Sequence, residues 1–79
     1  MHEPMPARKL AIAAGLLALQ RAGVLTAWVD ADMITIGPPV GRHMSACHAR
    51  EHRFWITWQQ ADRLVSKPKY LEATTRRWK

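Results

Sequence analysis

The stretch VLTAWVDADMITIG, residues 24–37, decides the fold. β-Branched and aromatic residues flank the polar tripeptide Asp30-Ala31-Asp32, which is the pattern of a β-hairpin. With Ala31 and Asp32 as the turn pair, Val29 stands opposite Ile34 and Ala27 opposite Ile36. Leu25, Ala27, Val29, Ile34 and Ile36 then share one face of the sheet, because side chains alternate along a strand. Val24, Thr26, Trp28, Met33 and Thr35 share the other face. The two close carboxylates read as turn residues, since Asp bonds to its own backbone in turns.

The segments on either side follow from the hairpin. PARKLAIAAGLLALQRAG (6–23) reads as a helix, with Pro6 suited to its first position and Gly23 to the position just past its end. The small residues Ala11, Ala13, Ala14, Gly15 and Ala18 allow another element to approach closely. Arg8-Lys9 followed by ten apolar residues also has the look of a secretion signal. Cleavage near Ala27 would leave about 50 residues, a marginal size for folding. The apolar run is well short of the ~20 residues needed to span a bilayer. A core helix is the expectation.

GPPVG (37–41) forms a stiff connection. HRFWITW (52–58) reads as a third strand, with Phe54, Ile56 and Trp58 inward and Arg53, Trp55 and Thr57 outward. TWQQADRLV then opens a helix, with Thr57 and Gln60 at capping-box spacing. Pro68 breaks or restarts that helix, and Ser66 is the candidate new cap. The expected architecture is α+β: a three-stranded antiparallel sheet with helices packed on one face, in the order α-β-β-β-α. A loop or short helix precedes the third strand.

Length and charge bound the function. The chain reads as one domain, 1–79, and one this short buries only about 60–65% of its unfolded surface. That leaves little room for a deep catalytic cleft. An apolar content of 48% argues against disorder. A lone cysteine, Cys47, makes no internal disulfide and suits a reducing compartment, so a cytoplasmic location is expected. The net charge of +6 is uneven. Arg8, Lys9 and Arg21 are balanced by Glu3, Asp30 and Asp32, whereas residues 42–79 carry nine basic groups against Glu51, Asp62 and Glu72. Such an excess favours an acidic partner: a protein, a nucleoprotein complex or nucleic acid.

GRHMSACHAREHRFW (41–55) gathers His43, Cys47, His48 and His52. In a helix at about 100° per residue, His43 and Cys47 lie about 40° apart, as do His48 and His52. The two pairs point about 140° away from each other, so one helix cannot bring all four to one metal. Arg42, Arg50 and Arg53 crowd a cation, with Glu51 alone to compensate. No Cys-x2-Cys accompanies the cluster, and nothing suggests an oxyanion hole for a Cys47–His pair. The expectation is a polar connection with a buried cysteine, no metal, no cofactor and no catalysis.

Strand parity puts Trp28, Met33, Arg53, Trp55 and Thr57 on the face turned away from the helices. Aromatic rings beside cations stack nucleobases and are enriched at protein–protein hot spots. A second copy of the chain is a further candidate to cover them. Arg63, Lys67, Lys69, Arg76 and Arg77 form a candidate basic stripe for phosphates or acidic side chains. The expected partner-binding set is therefore Trp28, Arg53, Trp55, Arg63, Lys67, Lys69, Arg76 and Arg77. HRFWITWQQADRLV (52–65), a strand running into a helix, resembles pieces of bacterial and phage small proteins. In its compact, motif-poor character the chain resembles anti-CRISPR proteins. That resemblance implies inhibition by binding a Cas protein or surveillance complex in the host cytoplasm, blocking target-DNA recognition. It carries over no site residues. A direct nucleic-acid-binding protein or phage regulator is the alternative.

Overall fold

The computed structural model describes residues 6–30, 33–41 and 44–78. Helix α1 (Ala7–Arg21) leads into strand β1 (Thr26–Val29) and strand β2 (Ile34–Gly37). A short helix α2 (Ala46–Glu51) precedes strand β3 (Phe54–Ile56). Helices α3 (Trp58–Ser66) and α4 (Pro68–Thr75) follow, and a 3-10 turn (Arg76–Trp78) ends the described chain. The sheet is antiparallel in the order β1-β2-β3. The protein is thus a small α+β domain with the expected α-β-β-β-α order.

The hairpin register is the one the alternation implies. Val29 pairs with Ile34, Trp28 with Thr35, and Ala27 with Ile36. Asp30 and Met33 exchange backbone hydrogen bonds at 2.9 and 3.3 Å, which pins this register from outside the turn pair. Ala31 and Asp32 themselves lie outside the described residues. A one-residue slip would turn the apolar set to solvent, so burial and turn geometry agree on a single register.

The core lies between α1, α3 and the inner sheet face. Ile12 and Leu16 of α1, Leu25, Ile34, Ile36 and Ile56 of the sheet region, and Ala61 and Leu64 of α3 are buried together. Ala27, Val29, Phe54, Trp58 and Leu19 pack around them. Leu10 and Leu17, on the other side of α1, remain exposed. Just past its C-cap, Ala22, helix α1 is closed off by Gly23, whose φ of 75° suits a residue without Cβ. Bonds from Gly23 N–H to Gln20 O and from Val24 N–H to Leu19 O satisfy the last carbonyls in a Schellman closure.

Four local expectations are corrected. Pro6 is the N-cap of α1 and not its first helical residue. The third strand covers only Phe54–Ile56. Trp58 reaches the core as the first residue of α3, because Thr57 caps that helix through both capping-box bonds with Gln60, 2.8 and 3.0 Å. Ser66 does not cap the helix after Pro68: its hydroxyl donates back to Asp62 O at 2.6 Å, and Lys67 takes the N-cap position. Pro68 sits at the start of α4, where its missing N–H costs nothing.

Candidate functional site

The outer sheet face is built by one cross-strand row. Thr35 of the central strand pairs with Trp28 on one side and Trp55 on the other. Adjacent strands are about 4.8 Å apart, so the two tryptophan backbones stand about 10 Å apart with a small threonine between them. The result is a shallow groove of about 430 Å³ lined by Trp28, Val29, Asp30, Met33, Thr35, Arg53 and Trp55. Trp28, Arg53 and Trp55, singled out from strand parity, do meet here.

The two indoles are held differently. Trp55 is 73% exposed, the most exposed of the large apolar side chains at the described positions. Trp28 is half-buried. A Cβ placed on Gly37 would lie 3.2 Å from the benzo edge of Trp28 and 2.8 Å from the carbonyl oxygen of Ala49. Trp28 therefore lies over the bare backbone of Gly37, and α2 closes on the sheet at the same point. Asp30 and Arg53 bring opposite charges to one groove, so its walls are mixed in sign.

The basic residues of the C-terminal half do not gather around this groove. Arg77 places its guanidinium 3.9 Å from the ring centroid of Phe54, on the inward-facing side of β3. Arg76 pairs with Glu72 at 3.0 Å, one helical turn away. Arg63 and Lys67 sit at the surface of α3 and its C-cap, and Lys69 at the surface of α4. Among the described residues only Arg53 supplies positive charge to the tryptophan groove.

A second, smaller hollow of about 260 Å³ lies between α2 and the terminal turn. Pro38, Met44, His48, His52, Arg77 and Trp78 line it. Here the histidine cluster takes form. Ser45 caps α2 by accepting from the His48 N–H at 3.1 Å. His48 and His52 lie one turn apart with ring centroids 4.6 Å from each other. Glu51 brings its carboxylate to 3.9 Å from His48 Nδ1. Cys47 is exposed, against the expectation of a buried thiol, because Ala49 is the residue α2 turns inward. His43 lies outside the described residues.

Glu51 is the member the sequence reasoning passed over, having counted it only as compensating charge. The spacing His48-x-x-Glu51-His52 was the available signal: in a helix, positions i, i+3 and i+4 share one face. Comparison with known protein families, with curated proteins and with solved structures finds no match to this chain. Among the described residues no helix is long and apolar enough to cross a membrane.

Proposed function

We propose that this chain is a non-catalytic interaction protein that docks its outer sheet face, through Trp28, Arg53 and Trp55, onto a partner protein. The exposure of Trp55 beside Arg53 in a lined groove is the observation that carries the reading. Tryptophan and arginine dominate the energetics of protein interfaces, and methionine is enriched in them. Met33 stands in the same groove.

A protein partner is favoured over nucleic acid by charge. A phosphate-tracking surface concentrates cations along its groove. This groove holds one arginine and one aspartate. The resemblance to anti-CRISPR proteins supplies the first partner class to try, a CRISPR effector subunit with an acidic surface. The net charge of +6 steers association with such a partner.

The test has two arms. Labelled single- and double-stranded DNA and RNA are titrated across a salt series, and effector subunits are presented in a pull-down. The reading expects no nucleic-acid binding near physiological salt, and capture of a subunit that is lost with Trp55→Ala. Micromolar nucleic-acid binding that falls steeply with salt, and is lost with Arg53→Ala and Trp55→Ala, would sink it in favour of direct nucleic-acid recognition.

A second reading rests on α1. Leu10 and Leu17, seven residues apart, expose an apolar stripe on its outer side. A second copy of the chain would cover that stripe, and sedimentation across a concentration series reads the oligomeric state directly.

A further inference from the structure

We propose that His48, Glu51 and His52 form a binding site for a divalent transition-metal ion of the Zn²⁺ class. The three side chains each offer one donor atom, and these atoms all lie within 4.8 Å of one another. Donors held at ~2.1 Å by a shared tetrahedral ion sit about 3.4 Å apart. The gap is therefore at most about 1.4 Å, and all three side chains are exposed, free to close it by rotating about their own bonds. No core residue has to move.

The scaffold under these donors is fixed. Ala49, in the same turn, is fully buried. Ser45 caps the start of α2, and the backbone carbonyl of His52 accepts from Trp78 Nε1 at 3.3 Å. A helical turn tied at both ends and at its middle holds the backbone of His48 and His52 in constant relation, so that side-chain rotation alone brings the donors together.

Donor chemistry selects the ion. Two imidazole nitrogens and one carboxylate suit zinc, copper or nickel, whereas calcium and magnesium take oxygen ligands. Three protein donors leave one tetrahedral position for an exchangeable ligand. Arg77 lines the same hollow as His48 and His52, so an anion is favoured there over a neutral ligand. This site is separate from the tryptophan groove and does not depend on the docking proposal. It also differs from the four-ligand structural site the sequence argued against: it uses one helical face, and the fold does not rest on it.

The test is a Zn²⁺ titration of the full chain against a chromophoric chelator, with the His48 and His52 ring resonances followed by NMR. One equivalent of Zn²⁺ is expected to bind and to shift both rings. His48→Ala and His52→Ala should each weaken binding at least tenfold, and Glu51→Gln should weaken it measurably. Cys47→Ser should leave it unchanged. Acidification should weaken it, since protons compete for the imidazole nitrogens. Far-ultraviolet circular dichroism shows that each variant is folded. Absence of Zn²⁺ binding would overturn the proposal. So would binding that survives the double variant His48→Ala/His52→Ala, which would place the ion elsewhere, or loss of binding in Cys47→Ser.

Discussion

The guanidinium of Arg77 lies over the ring of Phe54, 3.9 Å from its centroid, while the neighbouring Trp78 ring stands 5.7 Å from the same phenyl group. The terminal turn is thereby strapped onto the inward side of β3, opposite the side that carries Trp55. Trp78 also packs against the core and ties back to His52. The charged tail, a candidate basic stripe by sequence, is in part a structural clasp.

Removing the clasp should cost stability. Trp78→Ala is expected to destabilise the fold by about 2 kcal/mol, below the 3–5 typical of a fully buried tryptophan because Trp78 is half-buried. Urea denaturation measures this. A change under about 0.5 kcal/mol, the size of an ordinary surface substitution, would show that the terminal turn is not part of the cooperative unit.

The two faces of β3 should respond in opposite ways. Trp55→Ala, at a position 73% exposed, is expected to change stability by less than about 0.5 kcal/mol. Ile56→Ala, one residue on and buried, should cost about 2–4 kcal/mol. If the partner-binding reading holds, only Trp55→Ala abolishes capture of the partner while leaving the melting temperature in place.

Gly15 of α1 packs directly against Val65 of α3. A Cβ there would meet Val65 Cγ1 at 2.8 Å and Val65 Cβ at 2.9 Å. Alanine gains about 1 kcal/mol of helix propensity over glycine, but forcing β-branched Val65 aside costs about 1–3 kcal/mol. The contact with Cβ itself decides the sign, so Gly15→Ala should lower stability by about 1 kcal/mol. Adding Val65→Ala should restore only part of the loss, because it removes the methyl groups and leaves Cβ. A stabilised Gly15→Ala protein would mean that α1 and α3 separate more easily than this packing implies.

Trp58 carries a buried indole N–H with no hydrogen-bond partner among the described residues. Burying such a donor costs about 1–3 kcal/mol. Trp58→Phe removes that cost along with part of the packing, so the two changes should nearly cancel, leaving stability within about 1 kcal/mol of the parent. Lys9, whose ammonium lies 5.1 Å from the centre of the Trp58 ring, keeps an aromatic face in that variant. Chemical denaturation of the variant is the check, and a loss above about 2 kcal/mol would show that the N–H has a partner after all.

Much of the architecture was legible in the residues themselves. Alternation in VLTAWVDADMITIG specified which face of the hairpin is buried, and a two-residue turn then fixed the register. Thr57 and Gln60 marked the start of α3 through a local pair of hydrogen bonds. The same alternation grouped Trp28, Arg53 and Trp55 on one face, since side-chain direction in a strand is set by the backbone.

Where neighbouring elements compete for a residue, only the tertiary structure decided. Trp58 fits an inward strand position and also the first position of a helix, and it meets the core from α3. Ser66 donates to a carbonyl of its own helix, that of Asp62, instead of accepting from an N–H of the next one. Arg77 had an aromatic ring to stack on, from a strand more than twenty residues away. His48, Glu51 and His52 fit a helical face by spacing, but whether residues 46–51 form a helix depends on burying Ala49 against the sheet. Local pattern determines which way a side chain points along its own element. What it meets there depends on contacts distant in the chain.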